Sequence, residues 1–329
     1  MTRKSTKQLK SKSTRDAFGE VLPELAEKIP ELVVLTADLA DSTRVTGFAE
    51  KYPKRFFQIG VAEQNMASLA VGMSLAGKIP VITSFGVFSP AKNWDQIRVG
   101  VCMNEANVKI VSTHCGINVG EDGATHQALE DIALMRVLPG MKVFSPVDFE
   151  ETKEVVRAAF LEEGPAYVRL TRAKTPVLEE ASAKGSKNFK VGSPYVLEEG
   201  TKVALVGTGP ILTEGLFPAR EINEKYPESI KVVNIPTIKP LDVKKFLGTL
   251  EGISHVVTLE EHQITGGLGS LVSEILSMEG LQKPRKIVRM GMQDTFGESG
   301  SYEDLKKKFG LDSESIKKVL LKELKEAGI

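Results

Sequence analysis

From residue 15 to about 176, apolar β-branched runs alternate with stretches at helical spacing, a pattern that few folds satisfy. RDAFGEVLPELAEKI puts Phe18, Leu22, Leu25 and Ile29 on one helical face, with Pro23 as a kink or a boundary. LVVLTA and RFFQIG read as strands. EQNMASLAVGMSLAG follows as a helix, with Met66, Leu69, Ala70 and Met73 on one face and Gly77 closing it. IPVITS, VKIVS, KVFS and AYVRLT continue as strands, separated by helical NWDQIRVGVCM, HQALEDIALMRVL and EETKEVVRAAFLEE. Such alternation predicts a mostly parallel sheet with helices on both faces.

Residues 177–190 are polar, lose the pattern and read as a linker. A second α/β unit follows over 191–329. Its strands are KVALVGTG, IKVVNIP, HVVTLEE and KIVRMGM, and its helices TEGLFPAREINEKY, GGLGSLVSEILSM and the charged stretch from Tyr302. The expected fold class is therefore α/β, with two doubly wound domains, and the length of 329 residues agrees. Residues 1–14 are basic, lack an apolar core and read as a flexible tail rather than a secretory signal. The 43 basic and 43 acidic residues cancel, which argues against nucleic acid as a partner. No apolar run reaches the length of a membrane span. Cys102 and Cys115 have no CxxC spacing and suggest neither a disulfide framework nor zinc, so a reducing cytoplasm is expected.

In an open parallel sheet, ligands bind beyond the carboxyl ends of the strands. The unusual side chains of the first domain fall there one after another. Asp38 follows LVVLTA, Glu63 follows RFFQIG after two residues, Phe85 and Phe88 follow IPVITS, His114 follows VKIVS, and Arg172 follows AYVRLT. STHCGINVGEDGATHQ at 112–127 holds two of the chain's four histidines, His114 and His126, around the carboxylates Glu121 and Asp122. Gly116, Gly120 and Gly123 let its backbone turn tightly. Plainer readings stand beside these. Glu63 is also a first-turn helix acid, although Ile59, Val61 and Met66 around it suit a buried carboxyl that shares a proton. Phe85 and Phe88 are also core residues. GTG at 207–209 is a turn, GGLGS at 266–270 lacks the third spaced glycine of a nucleotide loop, and His255 and His262 suit core or surface roles.

Taken together, these segments resemble the carboxyl-terminal half of transketolase over almost the whole chain. VAEQNM at 61–66 is similar to the family's thiamine-activating glutamate motif. TSFGVF at 83–88 and WDQIR at 94–98 resemble its pyrimidine-stacking segment and the helix after it. THCGINVGEDGATHQALED at 113–131 resembles its longest signature, and PTIKPLD at 236–242 and TFGESGSYEDL at 295–305 resemble motifs of its terminal domain. The resemblance implies that Glu63 hydrogen-bonds the aminopyrimidine of thiamine diphosphate and shares a proton with it. It implies that Phe88, supported by Phe85, stacks on that ring and that Asp38 lies near the thiazolium. His114, Asp122 and His126 would line a sugar channel, with Glu63, His114 and His126 as the catalytic set. Arg15, Ser42, His114 and Arg172 would clamp a sugar phosphate. Some transketolases carry a further aromatic where this chain has Pro90 and Ala91, so its pocket would be less fully aromatic.

Transketolases hold the diphosphate through a metal ion with a GDG…N motif in their amino-terminal half, and this chain has no GDG sequence. The resemblance therefore implies a partner, an N-terminal transketolase subunit carrying thiamine diphosphate's anionic end with Mg²⁺ or Ca²⁺. It further implies a heterotetramer with a homodimeric core. The activity implied is transfer of a two-carbon ketol unit from a ketose phosphate to an aldose phosphate, as a split transketolase. The rival 1-deoxyxylulose-5-phosphate synthase usually has GADGQTHQ where this chain has GEDGATHQ, and generally lacks the histidine matching His114. A 2-oxoacid dehydrogenase β subunit would not need Arg15, Ser42 and Arg172. A non-catalytic transketolase-like partner protein is the remaining alternative.

Overall fold

The computed structural model describes residues 10–178, 189–278 and 285–329. Its strands are β1 (Ser11–Lys12), β2 (Leu32–Thr36), β3 (Phe56–Gln58), β4 (Ile79–Phe85), β5 (Lys109–Thr113), β6 (Lys142–Phe144), β7 (Ala166–Arg169), β8 (Thr175–Pro176), β9 (Tyr195–Glu198), β10 (Val203–Gly207), β11 (Ile230–Asn234), β12 (Thr237–Lys239), β13 (His255–Gln263) and β14 (Lys286–Met292). The first domain is a seven-stranded sheet in the order β12-β6-β7-β5-β4-β2-β3. All its pairings are parallel except β12 against β6. The second is a five-stranded sheet, β14-β13-β10-β11-β9, parallel except for β9. The doubly wound α/β class expected from the sequence is the class observed.

The β-branched runs explain why both faces are covered. Val33, Leu35, Ile82, Ile110 and Tyr167 pack on one face, and Leu32, Val34, Val81, Val111 and Val168 on the other. Side chains alternate along a strand, so a run apolar at every position needs helices above and below it. The chain passes from β2 to β3 on one side and returns to β4 on the other, which opens a crevice at their carboxyl ends. Strand β12 comes from the second unit yet extends the first sheet, so the two domains share backbone hydrogen bonds.

Several local expectations are corrected. The tail expected over 1–14 is structured from its eleventh residue, because β1 pairs antiparallel with β8 and Ser13 caps the helix Thr14–Lys28. Backbone pairing needs no apolar sequence signal, and Lys12 lays its ammonium over the Phe149 ring at 3.9 Å. Residues 1–9 lie outside the described residues, as do 179–188 of the expected linker. Its first residues are tied down: Val177 donates to the Lys10 carbonyl at 2.8 Å, and Leu178 to Asp148 Oδ2 at 2.7 Å. Pro23 interrupts nothing, since the helix runs through it. The helix expected over NWDQIRVGVCM is α-helical at Trp94–Gln96 and π-helical over Ile97–Cys102. HQALEDIALMRVL is helical only at Asp131–Arg136.

Candidate active site at the carboxyl ends of the first sheet

Strand β4 ends at Phe85, and the chain turns at Gly86 toward Phe88. A Cβ on Gly86 would lie 2.7 Å from both Ala128 Cβ and Cys115 Sγ, so glycine lets this turn press against the histidine-bearing loop. Phe85 and Phe88 stack with centroids 5.9 Å apart and planes 17° from parallel. The other neighbour of Phe85 is His114, stacked at 3.7 Å. His126 meets Phe88 edge-on at 5.5 Å. Phe85 is thus buried between two rings, while Phe88 is only half-buried.

His114 ends β5 in a left-handed turn, φ 57°. Arg15, delivered by the first turn of the helix Thr14–Lys28, directs Nη1 to His114 Nε2 at 3.3 Å and donates to the Ser42 carbonyl at 2.9 Å. Guanidinium nitrogens only donate, so Nε2 is the acceptor, and the ring proton sits on Nδ1, 2.8 Å from Thr113 Oγ1. Burial, reinforced by Arg15 and Arg172, pushes the His114 pKa down to about 3. His114 is therefore a neutral imidazole at physiological pH.

Arg15 itself is lowered from the ordinary arginine value, first by burial, then by Arg44, with Arg172 adding to it. Its Nε is buried with no hydrogen-bond partner. Arg44 is balanced by Asp16 at 2.8 Å and Asp41 at 3.5 Å. Arg172 donates to the Val119 carbonyl at 2.5 Å and lies 3.6 Å from Asp122. Crowded guanidiniums with an orphaned buried donor make a rim that an anion would relieve.

Glu63 opens the helix Glu63–Leu75 and is 2% exposed. Its expected apolar isolation is corrected: Lys92 reaches it from the β4 loop, Nζ to Oε2 at 2.7 Å. Asn93 fastens the same junction by donating to the Glu63 carbonyl at 3.1 Å and to Ser89 Oγ at 3.2 Å. The acid is therefore tied to the loop that carries Phe88. Asp38 is exposed at a positive φ of 61°, and its carboxylate has no partner among the described residues. Ser42 joins the site through its carbonyl rather than its hydroxyl. Asp122 faces Arg172 as well as solvent. Sequence reasoning missed Lys92, whose contact spans 29 residues, and Asn118, which holds the Arg172 backbone. The conspicuous residues around them gave no local signal for either.

A buried acid, a stacked aromatic pair and an imidazole–guanidinium rim meet at parallel strand ends, where open α/β sheets form their ligand sites. Residues 10–177 match the transketolase pyrimidine-binding domain and residues 192–316 the transketolase C-terminal domain; the chain belongs to the transketolase family. It is 42% identical over 315 residues to a putative transketolase C-terminal section of Methanocaldococcus jannaschii, covering 96% of this chain and 97% of that protein. A 1-deoxy-D-xylulose-5-phosphate synthase of Caldanaerobacter subterraneus is 34% identical over 95% of this chain but only 49% of its own length. A solved split-gene transketolase, described as an inactive beta4 tetramer, superposes with a TM-score of 0.85 at 39% identity. That match covers 95% of this chain and 98% of the other.

Transketolases are thiamine diphosphate-dependent. The residues here fit the aminopyrimidine end of that cofactor: a carboxyl group at a helix start, and a half-buried phenylalanine backed by a second ring. Among the described residues, the one cluster with metal-ligand spacing is His255, Glu323 and Glu326 in the second domain. Lys286 already occupies it, 2.8 Å from Glu323 and 2.5 Å from Glu326. No described helix is long and apolar enough to cross a membrane.

Proposed function

We propose that this chain is the C-terminal subunit of a split transketolase, moving a two-carbon ketol unit from a ketose phosphate to an aldose phosphate. The observation that carries the reading is the Arg15–Arg172 rim, with its unpartnered Arg15 Nε, beside the neutral His114. A sugar phosphate presents the dianion that such a rim attracts and the hydroxyls that an imidazole orients.

Thiamine diphosphate, when bound, supplies the electron sink for breaking and making the carbon–carbon bond. The chain's own residues bind, orient and move protons. Glu63 hydrogen-bonds the aminopyrimidine and shares a proton with it, for which Lys92 must give up or share Oε2. Phe88 stacks on the ring, and Phe85, wedged against His114, keeps Phe88 upright. Asp38 would lie near the thiazolium ring. His114 and His126 orient the sugar's oxygens, with Asp122 accepting from a hydroxyl. Arg15 and Arg172 hold the phosphate end, with Ser42 orienting Arg15 through its carbonyl, and forked guanidinium bonds add direction as well as charge.

The diphosphate and its Mg²⁺ or Ca²⁺ belong, in this reading, to an N-terminal subunit, in a heterotetramer with a homodimeric core. That division is supported by the relatives matched end to end, a transketolase C-terminal section and a split-gene transketolase. The test is a purified pair of subunits given xylulose 5-phosphate with ribose 5-phosphate, or pyruvate with glyceraldehyde 3-phosphate. Ketol transfer in the first mixture and silence in the second are expected. Consumption of pyruvate would turn the assignment toward the 1-deoxyxylulose-5-phosphate synthase reaction.

A further inference from the structure

The loop that braces Arg172 is not held by its own domain alone. Glu261, near the carboxyl end of β13, is 3% exposed and reaches from the second domain into the first. Its Oε1 accepts from the Asn118 backbone N–H at 2.7 Å and from Asn118 Nδ2 at 2.9 Å. Tyr302, at the start of the helix Tyr302–Lys308, donates its hydroxyl to Oε2 at 2.9 Å. The loop makes room for this carboxylate at Gly116, φ 95°, where a Cβ would stand 2.4 Å from Glu261 Oε1. The Glu261 backbone is fixed too, because Arg169 donates to its carbonyl at 2.8 Å while pairing with Asp131 at 2.8 Å.

Asn118 passes this hold onward. Its remaining amide oxygen accepts from the Arg172 backbone N–H at 2.7 Å and the Ala173 N–H at 3.4 Å. The Arg172 side chain in turn donates to the carbonyl of Val119, the next residue of the same loop. The Glu261 carboxylate, together with the Cys115 carbonyl that also accepts from Asn118 Nδ2, therefore sets the Asn118 rotamer; that rotamer fixes Arg172 at its backbone, while the loop backbone fixes it at its guanidinium. Buried charge-assisted hydrogen bonds of this kind hold geometry tightly, because losing one leaves a buried polar group unpaired.

We infer that Glu261 is a positioning residue for substrate. Through Asn118 it sets Arg172, so the second domain tunes affinity for the anionic end of the sugar without entering the ketol chemistry around Glu63. The inference deepens the proposed function and rests on it.

The test uses the assembled two-subunit enzyme with two donors, xylulose 5-phosphate and unphosphorylated hydroxypyruvate. Glu261→Ala should raise KM for the phosphorylated donor about tenfold, with kcat for both donors and KM for hydroxypyruvate within about twofold. Asn118→Ala, made from the first domain, should give the same selective shift. The double variant should be no worse than either single, as expected of two links in one chain. Glu261→Gln keeps an acceptor oxygen and should restore KM. Equal losses for both donors would mean a merely structural tie and overturn the inference, as would an unchanged KM in Glu261→Ala. If Glu261→Ala fails to assemble, Asn118→Ala and Glu261→Gln decide by the same KM split. A wild-type enzyme that shows no preference for phosphorylated donors would instead sink the proposed function itself.

Discussion

His114 carries the most information per atom in the site. It is stacked on Phe85, faced by Arg15 and Arg172, and held neutral by a pKa pushed down to about 3. In an unfolded chain, histidine titrates near about 6.5. A folded value below the unfolded one means that the stability from the neutral ring is fully present above pH 6.5. It is lost as the pH falls from there toward 3. Wild-type protein should therefore lose roughly 3 kcal/mol more than His114→Asn between pH 7 and pH 4, in denaturant melts. Parallel curves for the two proteins would show the imidazole to be ordinary. Glu63 teaches the opposite lesson about reading residues from sequence. Its position after a strand was legible, and so was its burial, although Val61, expected to help cover it, is 72% exposed. The Lys92 ammonium on its Oε2 was not, because a contact between segments 29 residues apart depends on where two loops meet in space.

Among the elements, those with strong local signals were the readable ones. Every apolar β-branched run of the first domain became a strand, and the helix Phe149–Leu161 lies where EETKEVVRAAFLEE pointed. That helix begins at Asp148, whose Oδ1 accepts from the Glu151 N–H at 2.8 Å while Oδ2 accepts from Leu178 at 2.7 Å. One carboxylate thus caps the helix and anchors the chain leaving the domain. Asp148→Ala should cost about 2 kcal/mol, read as a lower urea midpoint at unchanged slope. A loss under about 0.5 kcal/mol would make the cap incidental. Elements with weak signals escaped. The π-helical segment Ile97–Cys102 has no residue signal that separates it from an α-helix, and β1 has only the register of its partner β8 to define it. The loop of 114–127 was legible as chemistry but not as shape, since its turns depend on what packs against its glycines.

Across the whole molecule, the domains are joined by buried polar groups as well as by β12. Glu151 on the first-domain helix accepts from the Tyr195 hydroxyl at 2.5 Å and from Asn234 at 3.0 Å, both in the second domain. Burial pushes its pKa up to about 7, with Asp148 adding to the shift and the Tyr195 and Asn234 bonds opposing it. For a raised carboxyl, the stability is fully present below the unfolded value of about 4.5 and is lost as the pH rises through 7. Glu151→Gln, which mimics the protonated acid, should therefore gain on wild type by roughly 3 kcal/mol between pH 4.5 and pH 8. A difference that stays flat with pH would contradict this. None of this junction was visible in the sequence, where residues 177–190 read simply as a linker.

The proposed chemistry depends on Glu63 exchanging a proton with an aminopyrimidine ring in the assembled two-subunit enzyme. The rate at which bound thiamine diphosphate exchanges its C2 proton for deuterium, followed by NMR after quenching, reads that step without any sugar present. Wild-type assembly should accelerate the exchange over free cofactor, and Glu63→Gln should lose about a thousandfold of it while still binding cofactor within a few-fold. Exchange that is equally fast in the two proteins, with cofactor bound in both, would contradict the role given to Glu63.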